Sequence, residues 1–287
     1  MVFAVIGGDA RQVKLAEMLI HDGHQVRAFG MEGAEKRPEG LCAGLNEALT
    51  GAQYVILPLP ALNGDMLHAP LTEASVSVEE LADALTPGQV LLAGKMDGKL
   101  RALAEERGVT AIDYFEREEL TVKNAAATAE GAVQILMQEL PVTLAGTKIL
   151  VIGFGRIGKL LALKLRALGA DVTVSARKYA DFAWIEALDL KAADTRKLAG
   201  ALSVYTAVVN TVPSLVLEGT RLAELGEGCL CLDLASKPGG IDFEAASRLG
   251  VRAIWALSLP GQVAPVTSGA AIKDAIYNII SELECAN

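Results

Sequence analysis

Residues 148–158 read Lys-Ile-Leu-Val-Ile-Gly-Phe-Gly-Arg-Ile-Gly, and this stretch decides the fold. Ile149–Ile152 is a short apolar run typical of a buried strand, and it leads directly into three spaced glycines. Gly153 permits a tight turn, Gly155 lets the backbone approach a pyrophosphate, and Gly158 lets a following helix pack closely on the strand. The stretch is therefore a candidate dinucleotide-binding turn.

The residues after this stretch place the glycines in the required context. Apolar residues recur every three or four positions as far as Gly169, which predicts an amphipathic helix, and Val172–Val174 predicts the next strand. Free amides at the start of such a helix face phosphate groups. We therefore expect the phosphates of a dinucleotide at Gly153, Phe154, Gly155, Arg156, Ile157 and Gly158.

The end of the second strand indicates which dinucleotide is bound. A cofactor with a free ribose usually meets Asp or Glu about 20 residues after the first glycine. This chain has Ser175, Ala176, Arg177 and Lys178 there. A hydroxyl and two cations can bind a 2′-phosphate, which a carboxylate would repel, so the sequence favours NADP over NAD. The alternative is that Arg177 and Lys178 are ordinary solvated loop charges.

Length, composition and charge limit the remaining classes of function. A chain of 287 residues allows about two domains. The net charge of −9, with no basic stripe, argues against nucleic acid or an anionic membrane surface as partner. Four cysteines fit neither a disulfide framework nor a metal site, and Cys229 and Cys231 are expected to be buried thiols. Val2–Ile6 is too short for a signal sequence and predicts a first strand. Together with the cysteine pattern this leads us to expect a cytoplasmic protein, and the cysteine spacing gives no reason to expect a bound metal.

Both halves of the chain begin with a strand, a glycine turn and a helix. Alternating strands and helices predict the α/β class, with two Rossmann-like, doubly wound parallel-sheet domains joined by long helices. We expect a substrate domain at 1–124 plus 267–287 and an NADP-binding domain at 125–266. A helix over Asn124–Leu140 should connect the two, and Thr267 or Ser268 should cap the last helix. The complete set of predicted strands is Val2–Ile6, Gln25–Phe29, Val55–Leu57, Val90–Ala93, Thr110–Tyr114, and strands near 148–152, 171–175, 205–209, 229–233 and 251–255.

Three turn-rich loops follow strands of the second half. In a parallel sheet, ligands lie beyond the carboxyl ends of the strands, so these loops are candidates for contact with the nicotinamide. The alternative is that Pro and Gly only punctuate loops. The candidate cofactor residues are Asn210, Thr211, Val212, Pro213, Leu234, Ala235, Leu259 and Pro260, and Ser236 and Lys237 are candidates for the chemistry.

The first half offers candidates for the substrate. Asp9, Arg11 and Gln12 follow its first strand, and an arginine beside free helix amides suits a carboxylate. Equally, Asp9 is explained as a helix cap and Arg11 as a solvated charge. Thr128 and Glu130 lie near the start of the connecting helix and are candidates for substrate binding and for catalysis. The chain has only three histidines, none of them in the predicted cofactor half.

Several motifs together resemble the A subunit of dipicolinate synthase. They are Val5-Ile-Gly-Gly-Asp-Ala-Arg-Gln12, Phe115-Glu-Arg-Glu118, Thr128-Ala-Glu-Gly131, Gly153-Phe-Gly-Arg-Ile-Gly158, Asn210-Thr-Val-Pro-Ser214, Asp233-Leu-Ala-Ser-Lys-Pro-Gly-Gly240 and Leu259-Pro-Gly-Gln-Val-Ala-Pro265. The resemblance covers almost the whole chain. Two departures are the small residues of Asn124-Ala-Ala-Ala-Thr128 and Lys95, which stands where a small residue is expected.

The resemblance implies an NADP-dependent oxidoreductase of bacterial spore formation, in the cytoplasm of the mother cell. Such an enzyme oxidises a dihydrodipicolinate-type ring to dipicolinate and works with a flavoprotein-like B subunit. Arg11, Thr128 and Ser236 or Lys237 are then expected to bind the carboxylates of the substrate, and Asp9 or Glu130 to accept the proton. Two alternatives stay open: another NADP dehydrogenase with a shikimate-like or folate-like substrate, and a nucleotide-binding regulatory subunit that is inactive alone. The oligomeric state, a homo-oligomer included, is also open.

Overall fold

A computed structural model describes residues 1–286 of the chain. The chain divides into two compact units. Unit 1 contains Met1–Asn124 and the chain from Ala264 onward, and unit 2 contains Ala125–Val263. The chain leaves unit 2 between Val263 and Ala264, slightly before the boundary after 266 that the sequence suggested.

Unit 1 is built on a parallel sheet of five strands. Its elements in chain order are β1 Val2–Ile6, α1 Ala10–His21, β2 Gln25–Phe29, α2 Leu45–Leu49, β3 Tyr54–Ile56, the short antiparallel pair β4 Leu62–Asn63 and β5 Met66–Leu67, α3 Val78–Ala84, β6 Val90–Ala93, α4 Gly98–Glu106, β7 Thr110–Asp113 and the start of α5 Glu118–Glu139. The strand order in the sheet is β2-β1-β3-β6-β7. Because β1 lies between β2 and β3, the turn after it opens at the carboxyl edge, between two neighbouring strands.

Unit 2 is a six-stranded, doubly wound parallel sheet. Its elements are the rest of α5, then β8 Lys148–Ile152, α6 Arg156–Ala167, β9 Asp171–Ala176, α7 Tyr179–Ala187, β10 Lys191–Asp194, β11 Ala207–Asn210, α8 Gly219–Leu222, β12 Leu230–Asp233, α9 Phe243–Arg248, β13 Arg252–Trp255 and α10 Leu259–Val263. The strand order is β10-β9-β8-β11-β12-β13. The chain reverses direction across the sheet at β8, which is where α/β folds bind ligands.

The register of the strands in unit 2 brings the candidate site together. Ile152 pairs with Ser175 on β9 and with Asn210 on β11, and Asn210 pairs with Asp233 on β12. The last residues of β8, β11 and β12 therefore lie in one row with Ser175, the last but one residue of β9. The loops that follow these strands share one edge of the sheet.

The last helix, α11 Pro265–Ala286, packs on α1 within unit 1. Ile272, Ile276, Ile279 and Ile280 form an apolar stripe on this helix and are buried in one core cluster with residues of α1. The predicted cap is wrong. The helix begins at Pro265, so Thr267 and Ser268 lie inside its first turn.

The other differences from the expected elements lie at element ends and edges. Helix α5 begins at Glu118 rather than at Asn124. β10 was not predicted, because this edge strand reads Lys-Ala-Ala-Asp and lacks the apolar residues of a buried strand. Cys229 and Cys231 are buried free thiols, as predicted. Among the helices of residues 1–286, none is both long enough and apolar enough to span a membrane.

Candidate functional site

The glycine turn of unit 2 has no room for side chains at two of its three glycines. Gly153 has φ +100°, and a Cβ there would lie 2.5 Å from Oγ1 of Thr211. A Cβ at Gly158 would overlap the carbonyl oxygen of Gly153. A Cβ at Gly155, by contrast, would point into open space. Two glycines are therefore required by packing, and the third keeps the surface of the turn open.

Hydrogen bonds to the neighbouring strands hold this turn in place. The amide of Gly153 donates to the carbonyl of Ser175 at 2.9 Å, and both the amide and the hydroxyl of Thr211 donate to the carbonyl of Ile152 at 2.9 Å. Gly155 is the N-cap of α6 and offers no side chain to the first-turn amides of this helix. A rigid, uncapped helix start of this kind suits an anionic ligand. Of the other predicted residues of the turn, Phe154 is buried, Arg156 is exposed and Ile157 is half-buried.

The four predicted residues at the end of β9 divide into two pairs. Ser175 is fully buried, and its hydroxyl accepts a hydrogen bond from Thr195 at 3.1 Å. Its side chain therefore supports the sheet and does not reach a phosphate, contrary to the expectation, and Ala176 is buried beside it. Arg177 and Lys178 are exposed, and neither forms an ion pair with any residue of 1–286.

A buried network fixes the two loops beyond β11 and β12. The side-chain amide of Asn210 donates to Oδ1 of Asp233 at 2.7 Å and to the carbonyl of Val212 at 2.9 Å. Asp233 also accepts from the amides of Ala235 at 3.0 Å and Gly240 at 2.7 Å. Asp233 was not among the residues expected at the site. Its position gave a usable signal, because a carboxylate at the end of the apolar strand β12 must be satisfied by buried donors.

The network determines which loop residues face solvent. Ser236, Lys237 and Pro213 are exposed, and Thr211 and Val212 are half-buried. Leu234, Ala235, Leu259 and Pro260 are buried. A Cβ at Gly131 of α5 would meet the side chain of Leu259 at 3.1 Å, so this leucine packs in the core. The buried residues can thus present only their backbone to a ligand.

Two predicted residues lie on the part of α5 that belongs to unit 2. Thr128 is buried, with 6% of its surface exposed. Glu130 is exposed and forms an ion pair of 2.8 Å with Lys164, which is eight residues into α6 and about 12 Å along the helix from its start. Glu130 is therefore directed away from the glycine turn.

In unit 1, the turn after β1 holds a buried ion pair. Asp9 caps α1 by accepting from the amide of Arg11 at 3.0 Å. The guanidinium of Arg11 donates through Nε and Nη2 to the carboxylate of Asp9, and Nη2 also donates to the carbonyl of Leu59 at 2.6 Å. Arg11 is only 5% exposed, so the alternative of a solvated charge is wrong, while the helix cap is confirmed. Its Nη1 makes no hydrogen bond to the described part of the chain.

Gln12 lies beside this pair with an unsatisfied amide. It is 1% exposed, and neither its side-chain oxygen nor its nitrogen has a hydrogen-bond partner among residues 1–286. Buried polar groups without a partner are rare, because each loses its bonds to water. Arg11 and Gln12 thus place a free guanidinium nitrogen and an unsatisfied amide at consecutive positions after β1, at the carboxyl edge of a parallel sheet, where ligands of such folds bind.

Burial raises the pKa of Asp9, but the hydrogen bonds and the charge of Arg11 outweigh this effect and hold the pKa below its ordinary value. Asp9 is thus an ionised partner of Arg11. A carboxylate with a lowered pKa is a poor proton acceptor, so the geometry does not favour Asp9 as a catalytic base.

Comparison with known proteins identifies relatives over the whole chain. A family model for the N-terminal domain of the A subunit of dipicolinate synthase matches residues 2–115. The A subunit of dipicolinate synthase from Bacillus subtilis (strain 168) is 30% identical over 285 residues, which cover 98% of this chain and 96% of the relative. The crystal structure of the same subunit from Bacillus halodurans superposes with a TM-score of 0.86 at 28% identity, covering 97% of each chain.

A more distant structure has the same fold. The transhydrogenase of Sinorhizobium meliloti superposes with a TM-score of 0.74 at 18% identity and covers 98% of this chain and 93% of its own. This likeness shows the two Rossmann-like units and nothing more specific. The near-complete coverage and the identity to the Bacillus subtilis protein establish the family: this chain belongs to the family of the A subunit of dipicolinate synthase.

Proposed function

We propose that this protein oxidises dihydrodipicolinate to dipicolinate with NADP in bacterial spore formation. It acts as the A subunit beside a flavoprotein-like B subunit, in the cytoplasm of the mother cell. The observation that carries the proposal is the open, uncapped start of α6 beside two unpaired cations at the end of β9. Family membership supplies the class of substrate.

Unit 2 provides the binding site for the nucleotide. The first-turn amides of α6 bind the pyrophosphate, because Gly155 leaves the backbone accessible. Arg177 and Lys178 bind the 2′-phosphate, and no carboxylate stands at the end of β9 to repel it. The loops held by Asn210 and Asp233 then offer backbone groups to the nicotinamide.

Unit 1 provides the binding site for a carboxylate of the substrate. The free Nη1 of Arg11 donates to one carboxylate oxygen, and the amide nitrogen of Gln12 donates to another polar atom of the same ligand. Asp9 holds the guanidinium in position. Ser236, Lys237 and Thr128 remain candidates for contact with the second carboxylate, and Glu130 is left out because it pairs with Lys164.

The chemistry asked of these residues is mainly orientation. A bound nicotinamide nucleotide supplies the hydride acceptor. The protein groups hold a dicarboxylate so that its ring carbon is aligned for hydride loss, which is catalysis by positioning. Formation of the aromatic ring then drives the oxidation.

The cofactor part of the proposal predicts a change of specificity in Arg177→Asp. Reversal of the charge removes a charge-assisted bond to the 2′-phosphate and adds repulsion, so NADP affinity should fall about ten- to a hundredfold while NAD affinity changes little. Isothermal titration calorimetry with both nucleotides measures this. Arg248→Asp, an exposed cation on α9, is the matched control and should leave both affinities unchanged. An equal loss for both nucleotides in Arg177→Asp would rule out the phosphate role.

The activity part is tested with the purified chain, alone and with a flavoprotein partner subunit. We expect NADPH to form from dihydrodipicolinate, with shikimate-like and folate-like substrates as controls. A preference for one of those controls would indicate another dehydrogenase. Nucleotide binding without hydride transfer in either arrangement would indicate a regulatory subunit instead.

A further inference from the structure

His68 is a titratable residue of unit 1 whose backbone is hydrogen-bonded to the turn that contains Asp9 and Arg11. It follows β5, and its carbonyl accepts a hydrogen bond from the amide of Gly8 at 2.9 Å. Its own amide donates to the carbonyl of Ala61 at 3.0 Å, in the segment whose Leu59 carbonyl binds Arg11. Three chain segments, 7–12, 58–61 and 67–69, therefore meet at one point of the carboxyl edge.

The contacts of the turn glycines confirm how closely these segments approach. A Cβ at Gly7 would lie 3.1 Å from the side chain of Leu67 and 3.2 Å from the carbonyl oxygen of His68. A Cβ at Gly8 would meet Pro58 at 3.1 Å and would overlap the side chain of Gln12. His68 is thus fixed beside the same turn that carries the free guanidinium nitrogen and the unsatisfied amide.

The other polar side chains of this turn cannot take up a proton. The guanidinium of Arg11 has only N–H donors, an amide such as that of Gln12 is not a base, and the carboxylate of Asp9 is hydrogen-bonded to Arg11. The imidazole of His68 is half-buried and makes no hydrogen bond to any residue in the described range 1–286. A nitrogen lone pair of this ring is therefore available to a ligand.

The charges around His68 come from the turn and from α1. Burial lowers the pKa of His68, the nearby Asp9 raises it and Arg11 lowers it, so the pKa ends below its ordinary value. The segments 58–61 and 67–69 carry no other titratable side chain. The imidazole is consequently neutral at neutral pH, which is the form that accepts protons.

We infer that His68 is the proton acceptor for aromatisation of the substrate ring. The inference rests on the function proposed above. Two neighbouring ring carbons each lose one hydrogen. One leaves with its electron pair as hydride to the oxidised nicotinamide nucleotide, and the other leaves as a proton to the free imidazole nitrogen. The electron pair of the second C–H bond becomes the new ring double bond, and the imidazolium later releases its proton to solvent.

The test compares His68→Asn with the wild type, both with the partner subunit present. His68→Asn should lower kcat about a hundred- to ten-thousandfold, the usual contribution of a general base, with KM little changed. Binding of dipicolinate without nucleotide, followed by calorimetry, should be preserved. In the wild type, kcat/KM should fall as pH decreases through a midpoint below the ordinary histidine pKa of about 6.5, and the variant should lack this fall. Added imidazole should restore part of the activity.

The matched control is His21→Asn, because the His21 side chain is 91% exposed in the same unit. It should keep wild-type kinetics. A His68→Asn variant with wild-type kcat and pH profile, or one that loses dipicolinate binding in proportion to its activity, would overturn the inference and leave the proposed function standing. A wild type that binds NADP and dipicolinate but oxidises no dihydrodipicolinate would overturn both.

Discussion

Asp233 shows how a single residue sets the shape of the proposed nucleotide site. Its carboxylate is fully buried, and three N–H donors surround it, one from Asn210 and two from the backbone of the following loop. A buried carboxylate is tolerated only when its oxygens are satisfied in this way. The residue contacts no ligand in the proposed function. It acts by holding the loop that presents Ser236 and Lys237.

The substitution Asp233→Asn should therefore damage both stability and nucleotide binding. The new amide group would direct N–H groups at backbone donors, and an unsatisfied buried donor costs about 1–3 kcal/mol. We expect a lower free energy of unfolding for unit 2 in urea and weaker NADP binding. Asp83→Asn, at an exposed carboxylate of unit 1, is the control and should change neither. Unchanged stability in Asp233→Asn would show that the loop does not depend on this network.

The residues of the two candidate sites also show how much of each site could be predicted from the sequence. The glycines and the two cations of unit 2 are close together in the chain, so their spacing alone was enough to select them as candidates. The bond from Arg11 to the carbonyl of Leu59 joins residues 48 apart, and Asn210 lies 23 residues from Asp233. Such contacts follow from tertiary structure, which explains why the burial of Arg11 and the role of Asp233 were not predicted.

At the level of elements, the strand–turn–helix unit β8–α6 combines two requirements. Gly158 is needed for the close packing of α6 on the turn, whereas a Cβ added at Gly155 would meet no other atom within 4 Å. Packing and ligand access are thus assigned to different glycines. This separation allows the two requirements to be measured independently.

We expect Gly158→Ala and Gly155→Ala to differ in stability but to share a loss of nucleotide binding. The Cβ of Gly158→Ala would overlap the Gly153 carbonyl, and overpacking of this kind costs about 1–3 kcal/mol. Gly155→Ala should lower the unfolding free energy by about 1 kcal/mol or less, yet weaken NADP about ten- to a hundredfold by blocking the pyrophosphate. Urea unfolding and calorimetry measure the two effects. Full NADP affinity in Gly155→Ala would place the pyrophosphate elsewhere.

The elements that the sequence predicted have a strong apolar pattern. The buried strands of both sheets were found within one or two residues of their ends, because continuous apolar runs fit a parallel sheet covered on both faces. The edge strand β10 and the short pair β4–β5 were missed. An edge strand needs little apolar surface, and a two-residue strand has no period to detect.

At the scale of the whole molecule, the chain contains two sheets of related plan with different turns. Each turn follows the first strand of its unit and opens at the carboxyl edge of its sheet. The turn of unit 2 has a free backbone, and the turn of unit 1 has a buried arginine and an unsatisfied amide. These differences support the proposal that the turn of unit 2 binds phosphates and the turn of unit 1 binds a small carboxylate.

This difference predicts where each ligand protects the backbone. In hydrogen-exchange measurements, NADP should slow exchange of the amides at 153–158, and dipicolinate should slow exchange at 7–12 and 67–69. A ligand at a hundred times its dissociation constant stabilises the state that binds it by about 2.7 kcal/mol. The resulting decrease in the exchange rate of the binding unit is well above the detection limit. Arg11→Lys keeps the positive charge but lacks the planar group that donates hydrogen bonds to both Asp9 and the carbonyl of Leu59. This variant should therefore lose the protection by dipicolinate at 7–12 and 67–69 and keep the protection by NADP at 153–158. Protection of 153–158 by dipicolinate alone would contradict the assignment of the carboxylate to unit 1.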